Sequence, residues 1–121
     1  MKILLVEDDK HWRNTALALL EHFGHKVAAP ESTTECERLL GSNQQFDALL
    51  LDESLWDKTR IYDFAKQIRR RAKAGARLFC FSSSEGAPDS MAQAFGVLVS
   101  AELSKRNFLN LDRAELAAAL G

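Results

Sequence analysis

The sequence predicts an α/β fold: a doubly wound, five-stranded parallel sheet with helices on both faces. Three observations lead to this prediction. Short apolar runs alternate with amphipathic stretches along the 121 residues. The apolar runs are rich in branched aliphatic residues, which is typical of strands buried on both faces. The stretches between them carry apolar residues at helical spacing, and strands that alternate with helices normally pair in parallel.

The first strand and helix are the clearest elements. The run "ILLV" at 3–6 predicts a strand that is buried on both faces. Apolar residues then recur at helical spacing over 11–23. Gly24 follows at the place where a helix is commonly closed by glycine, so the helix is expected to end there.

The next three elements are a weaker strand, a short helix and a strong strand. The run "KVAA" predicts the strand at 26–29. Ser32, with Glu35 three residues later, has the spacing of a capping box that opens a helix, and this helix is expected to end at Gly41. The run "FDALLLD" at 46–52 predicts the third strand, which ends in an acid as the first does.

The second half of the chain continues the alternation. A third helix is predicted from an apolar stripe, "RLFCFSSS" predicts a strand at 77–84, and Pro88 suits the first turn of a short helix that runs towards Phe95. The run "VLVSAEL" predicts a fifth strand at 97–103, and a last helix extends from Asp112 to Leu120. The stripe of the third helix consists of Ile61, Phe64, Ala65, Ile68 and Ala72.

Composition restricts the class of protein. The length fits a single domain, residues 1–121, and 46% hydrophobic residues suffice for a core. A net charge of −1 argues against direct binding of nucleic acid, which normally requires a basic surface. Cys36 and Cys80 have no metal-binding spacing, and no signal peptide or membrane span is evident. We therefore expect a cytoplasmic protein with reduced thiols and no membrane partner.

Polar residues follow four of the predicted strands. Glu7 and Asp8 follow the first, Asp52 the third, Ser82 the fourth and Lys105 the fifth. The carboxyl ends of parallel strands meet at one edge of the sheet, where ligands bind in open α/β folds. In the strand order 2-1-3-4-5 the first, third, fourth and fifth strands are neighbours, so these groups are predicted to converge.

The converging residue types indicate a phosphoryl-transfer chemistry. Three carboxylates in one place repel one another, and a hard divalent cation such as Mg²⁺ removes this repulsion. A carboxylate in such a site can attack phosphorus and form an aspartyl phosphate. A hydroxyl and a lysine ammonium on the far side can then bind phosphoryl oxygens.

The motifs "ILLVEDD", "FDALLLDES" and "LFCFSSS", together with Lys105, resemble the receiver domain of two-component response regulators. The resemblance covers essentially the whole chain and implies a flavodoxin-like strand order, 2-1-3-4-5. It implies that Glu7 and Asp8 form the acid pair that binds Mg²⁺ and that Asp52 is the phospho-acceptor and a further metal ligand.

The resemblance also assigns the remaining site residues and the partners. Ser54 would offer its backbone carbonyl to the metal, Ser82 would be the switch hydroxyl, and Lys105 would bind the phosphate. A histidine kinase or phosphotransfer protein would supply the phosphoryl group, and the chain would signal to a downstream protein target or as a homodimer. Such a domain accepts a phosphoryl group and is not a turnover enzyme.

Several alternatives stay open from the residues alone. Asp9 is interpreted as a helix cap, and the hydroxyl register could fall on Ser83 in place of Ser82. Trp56 and Arg106 stand where the family usually has prolines, which favours a second hypothesis, an interaction module that works without phosphorylation. A small phosphohydrolase is a third hypothesis, but no second acid is placed to serve as its general acid or base.

Overall fold

A computed structural model describes residues 1–52, 64–81, 101–102 and 110–120 of the chain. Its strands are β1 (Lys2–Val6), β2 (Lys26–Ala28), β3 (Phe46–Leu51), β4 (Ala72–Cys80) and β5 (Ala101–Glu102). They form one sheet in the order β2-β1-β3-β4-β5, and every neighbouring pair is parallel. The parallel sheet and the strand order confirm the fold class that the sequence predicts.

Four helices lie within the described residues: α1 (Lys10–His22), α2 (Thr33–Leu40), α3 (Ala65–Arg71) and α4 (Arg113–Leu120). Residues of α1 and α4 pack in one apolar cluster, and residues of α2 and α3 pack in another. The sheet is therefore covered on both faces, as a doubly wound fold requires. None of the helices described by the structure has both the length and the apolar composition needed to cross a membrane.

The strands supply both clusters because successive side chains of a strand point to opposite faces. Along β1, Ile3 and Leu5 join the cluster under α1 and α4, whereas Leu4 and Val6 join the cluster under α2 and α3. All four are fully buried, which explains why the run is continuously apolar and does not alternate with polar residues. From Ala48 to Leu51 β3 alternates in the same way, with Ala48 and Leu50 in the first cluster and Leu49 and Leu51 in the second. Phe46 also belongs to the second cluster, because the register shifts between it and Ala48.

Both ends of α1 are specified by local hydrogen bonds. Asp9 is the N-cap, and its side-chain oxygen accepts a hydrogen bond from the Trp12 N–H at 3.0 Å. At the other end, Gly24 has a φ of +91°, and its N–H donates to the Glu21 carbonyl at 3.0 Å. The next N–H, of His25, donates to the Leu20 carbonyl at 3.1 Å, which completes a Schellman motif. The left-handed backbone at Gly24 is the reason that glycine suits this position.

The predicted capping box of α2 forms with one difference. Ser32 is the N-cap, and its hydroxyl accepts a hydrogen bond from the Glu35 N–H at 3.1 Å. The Glu35 carboxylate reaches back to the N–H of Glu31 instead of the N–H of the cap residue itself. The helix still begins and ends where the sequence indicates, with Gly41 as its C-cap.

The boundary between α3 and β4 corrects the sequence prediction. Ala72 was predicted to end the apolar stripe of the third helix, but α3 ends at Arg71 and Ala72 begins β4, which is five residues earlier than the predicted start at 77. Ala72 pairs with Phe46 of β3, and the register shifts before Ala48 pairs with Arg77. The described part of β4 ends at Cys80. The predicted helix after Pro88, and the fifth strand apart from Ala101–Glu102, lie outside the described residues.

Candidate functional site

Backbone hydrogen bonds hold the carboxyl ends of the three central strands side by side. Val6 and Leu51 are partners in the parallel register of β1 and β3. One residue further, the N–H of Asp52 donates to the Val6 carbonyl at 2.9 Å. The N–H of Phe81, which follows β4, donates to the Leu51 carbonyl at 2.9 Å. Side chains that follow β1 and β3 therefore start from one rigid edge of the sheet.

Three carboxylates meet at this edge. One carboxylate oxygen each from Glu7, Asp8 and Asp52 can be chosen so that all three lie within 4.8 Å of one another. Glu7 is fully buried, Asp52 is 7% exposed, and Asp8 is partly exposed. The structure thus brings together the three acids that the sequence analysis places in the site.

The neighbouring acid, Asp9, has a different position. Its carboxylate caps α1, as described above, and its backbone N–H donates to Glu7 Oε1 at 3.1 Å. The N–H of Asp9 thereby orients one oxygen of Glu7, while the Asp9 side chain is exposed. Asp9 supports the acid cluster through its backbone and serves the helix through its side chain.

Arg13 is a residue of the site that the sequence analysis missed. Its side chain is only 5% exposed, and its Nη1 donates to the backbone carbonyls of Glu7 and Asp8 at 3.4 and 3.5 Å. A signal was present in the sequence, because Arg13 precedes Ala16 by three positions and Leu20 by seven. These three residues form the buried stripe of α1, so the arginine occupies a position where helical spacing predicts an apolar side chain.

The donor set fits Mg²⁺ by its chemistry and its size. The three side chains of the cluster offer only carboxylate oxygens, which are the ligands that hard divalent cations prefer. Two oxygens on opposite sides of an octahedral Mg²⁺ are about 4.2 Å apart, since each Mg–O bond is about 2.1 Å long. The upper limit of 4.8 Å between the oxygens is close to this span.

The other predicted site residues lie outside the described part of the chain. They are Ser54, Ser82, its alternative Ser83, and Lys105. What the structure does describe is the residue before Ser82. Phe81 is fully buried, and its ring meets the Trp12 ring edge-on, with 6.5 Å between the centroids. The path of β4 into the site is therefore fixed by packing against α1 up to Phe81.

Comparison with solved structures places this fold among known proteins. The receiver domain of the sensor histidine kinase PA1611 from Pseudomonas aeruginosa PAO1, with a magnesium ion coordinated in its active site cleft, has a TM-score of 0.70 and 25% identity, covering 98% of this chain and 93% of that one. The non-phosphorylated HemR receiver domain from Leptospira biflexa has a TM-score of 0.72 and 24% identity, covering 99% and 94%.

A third solved structure is a response regulator protein from Burkholderia pseudomallei with a phosphorylated aspartic acid, a calcium ion and citrate. Its TM-score is 0.73 at 17% identity, and the match covers 99% of this chain and 66% of that one. By sequence, no protein-family model matches the chain, and no curated protein matches it. The likeness lies in the three-dimensional arrangement and extends over nearly the whole chain. The chain therefore has the fold of a response regulator receiver domain, which confirms the resemblance that its motifs predict.

Proposed function

We propose that the chain is a phospho-acceptor signalling domain of a two-component system and that Asp52 receives the phosphoryl group. The observation that carries this proposal is the meeting of three carboxylates at the carboxyl edge of a receiver-type sheet. Ligands bind at this edge in open α/β folds because the strand order reverses there. The magnesium ion in the Pseudomonas receiver domain and the phosphorylated aspartic acid in the Burkholderia protein support the same chemistry.

Asp52 is the best acceptor of the three acids by its position. It directly follows the central strand β3, and its N–H is bonded to the Val6 carbonyl, so its backbone is held between two strands. In the proposed step a carboxylate oxygen of Asp52 attacks the phosphorus of the donor, and the bond from phosphorus to the leaving group breaks. The products are an aspartyl phosphate and the released donor group.

Asp8, Asp52 and Glu7 would hold the metal, with Ser54 as the proposed backbone ligand. A bound Mg²⁺ would neutralise charge that builds up on the phosphoryl oxygens during transfer. Glu7 is fixed by the hydrogen bond from the Asp9 N–H, whereas Asp8 is partly exposed and so is accessible to an ion that arrives from solvent. We propose that Ser82 and Lys105 bind the phosphoryl oxygens.

The proposed partners follow from this chemistry. A histidine kinase or a phosphotransfer protein would donate the phosphoryl group, and a downstream protein would bind the phosphorylated form. The added phosphoryl group carries a charge of about −1.5 to −2, which is a large change beside the buried acids. We propose that the domain acts in the cytoplasm as a switch, and not as a turnover enzyme.

Intact-protein mass spectrometry after incubation with acetyl phosphate tests the acceptor. We expect the mass to increase by one phosphoryl group in the presence of Mg²⁺ and to stay unchanged with EDTA. Asp52→Asn should abolish the increase, because an amide is not a nucleophile towards phosphorus. A parent chain that gains no phosphoryl group under any condition would contradict the proposal and favour the phosphorylation-independent interaction module.

Two substitutions at neighbouring residues test, in the same experiment, whether the Mg²⁺ dependence requires Asp8. Asp8→Asn removes a carboxylate of the cluster, whereas Asp9→Asn removes one next to it and keeps the cap, since asparagine caps helices as well as aspartate does. We expect Asp8→Asn to slow Mg²⁺-dependent phosphorylation by at least about tenfold, and Asp9→Asn to leave it within about twofold. Equal effects of the two changes would contradict a role for Asp8 as metal ligand.

A further inference from the structure

The buried charged residues of the described chain lie together in one place. They are Glu7, Asp52 and Arg13. Charged side chains are seldom buried unless they are paired or have a function. Two of these three belong to the acid cluster, and the third is a cation beneath the same segment. The presence of Arg13 on the apolar stripe of α1 therefore calls for an explanation in terms of the acids.

Arg13 contacts the backbone of the segment that carries two of the acids. Within the described part of the chain, its guanidinium donates to the carbonyls of Glu7 and Asp8, at 3.4 and 3.5 Å. These distances are long compared with the usual 2.9–3.0 Å, and Arg13 Nε makes no hydrogen bond to any described residue. Hydrogen bonding alone is a weak reason to bury a guanidinium here. Its positive charge is buried, as Glu7 and Asp52 are, and charges shielded from solvent and salt interact over longer distances than exposed ones.

We infer that Arg13 is a built-in counter-cation of the acid cluster, which stabilises the metal-free site and thereby lowers its affinity for Mg²⁺. This inference rests on the metal site of the proposed function. Three carboxylates lie in the cluster, and one guanidinium together with one Mg²⁺ would neutralise them. Without metal, the guanidinium offsets part of their repulsion. When metal binds, the two cations repel each other, so the arginine weakens the binding.

Neutralising Arg13 tests the inference through the dissociation constant for Mg²⁺, measured by isothermal titration calorimetry on metal-free protein. We expect Arg13→Gln to bind Mg²⁺ about tenfold more tightly than the parent chain, because a buried like charge has been removed. Arg13→Lys keeps the charge and should stay within about threefold of the parent. A purely structural role predicts the opposite sign for Arg13→Gln, since a loosened acid segment would bind Mg²⁺ more weakly.

Lys10→Gln is the matched control. Lys10 lies one turn before Arg13 on the same helix, but it is exposed. Its charge is screened by solvent and salt, so the same loss of one positive charge should change the dissociation constant by less than about twofold. If Lys10→Gln lowers the dissociation constant for Mg²⁺ as much as Arg13→Gln does, the affinity depends on the net charge of the protein and not on the burial of the charge. That result would overturn the inference.

Thermal unfolding in EDTA and in Mg²⁺ provides a second readout. We expect Arg13→Gln to lower the melting temperature in EDTA and to increase the rise in melting temperature that Mg²⁺ produces.

The inference can still be tested if Arg13→Gln fails to fold in EDTA. Saturating Mg²⁺ should then restore folding, in this variant or in Arg13→Met. Failure of both variants to refold would overturn the inference. A parent that binds no Mg²⁺ would overturn both the metal site and this inference. If the parent binds Mg²⁺ and Arg13→Gln binds it no more tightly, the inference about Arg13 is overturned and the metal site is not.

Discussion

At the scale of single residues, burial changes the chemistry of Cys36. The side chain lies on α2, faces the sheet and is fully buried among Leu40, Phe46 and other apolar residues. Burial, together with smaller contributions from the carboxylates of Glu37 and Glu35, raises the pKa of the thiol from its usual 9.0 to about 11. The folded protein therefore retains the thiol proton at a pH at which the unfolded chain has lost it.

This difference predicts a loss of stability in alkali. Above about pH 9 the unfolded state releases the proton of Cys36 while the folded state keeps it, so the free energy of unfolding falls as the pH rises towards 11. Urea unfolding of the parent and of Cys36→Ala, at several values between about pH 8 and about pH 10.5, measures this effect. We expect the stability difference between the two proteins to be constant below about pH 8 and to shift in favour of Cys36→Ala above about pH 9.

Groups that titrate in both proteins cancel in this comparison. Cys36→Ala also removes core volume, which adds a constant cost of about 1 kcal/mol that does not depend on pH. A stability difference that stays the same up to about pH 10.5 would show that the thiol ionises equally in both states. The prediction that the pKa of the Cys36 thiol is raised in the folded protein would then be wrong.

The residues of the candidate site were predictable to different degrees. Glu7, Asp8 and Asp52 could be predicted because each follows a strongly apolar strand, and parallel strands bring their carboxyl ends together. Arg13 could not be assigned in this way. A charged residue within a helix normally faces solvent. Helical spacing places Arg13 on the buried stripe, but the folded structure is needed to show that its guanidinium lies against the backbone carbonyls of Glu7 and Asp8.

At the scale of elements, α4 shows a complete capping box. The Glu115 N–H donates to Asp112 Oδ1 at 2.8 Å, and the Asp112 N–H donates to Glu115 Oε1 at 3.3 Å. Leu116 and Leu120, on the same helix, are buried in the cluster that also contains residues of α1. The cap thus fixes the start of a helix that covers one face of the sheet.

Asp112→Ala should lower the free energy of unfolding by about 1 kcal/mol. The Glu115 N–H would lose its acceptor, and the Glu115 carboxylate that accepts from the N–H of residue 112 would lose its orientation. Asp112→Ser is the control, since serine also accepts a hydrogen bond at an N-cap, and it should stay within about 0.5 kcal/mol of the parent. Urea unfolding measures both, and we expect the midpoint to fall with an unchanged slope. Equal stability of the alanine and serine variants would contradict a stabilising role for the cap.

The boundary of α3 and β4 shows where element prediction from sequence reaches its limit. Ala72 follows three arginines and has a high intrinsic helix propensity, so local preference extends the helix through it. The structure instead pairs Ala72 with Phe46 at the start of β3. This pairing depends on a residue 26 positions earlier, and such tertiary contacts override the weak preferences of single residues. The caps of α1 and α2, in contrast, depend on residues within a few positions and were predictable.

At the scale of the whole molecule, the acids of the candidate site lie at the edge of the sheet where its two apolar clusters end. Leu51 and Phe81 belong to opposite clusters, and each is followed by a residue of the predicted site. Asp52 is 7% exposed and lies beside two other carboxylates. Burial and mutual repulsion both disfavour such charges in the metal-free protein. Among the described residues one buried cation, Arg13, lies beside three carboxylates, so the site is expected to reduce the stability of the fold.

Asp52→Asn should therefore stabilise the metal-free protein even though it abolishes phosphorylation. We expect the free energy of unfolding in EDTA to rise by about 1 kcal/mol, which corresponds to about 4 °C in melting temperature for a domain of this size. Asp47→Asn is the matched control at the other end of β3, where the Asp47 carboxylate accepts a hydrogen bond from the Lys2 N–H at 2.7 Å. It should leave stability unchanged or lower it. If Asp52→Asn is instead no more stable than the parent in EDTA, the acids are already compensated without metal, and the neutralising role assigned to Mg²⁺ at this edge of the sheet is wrong.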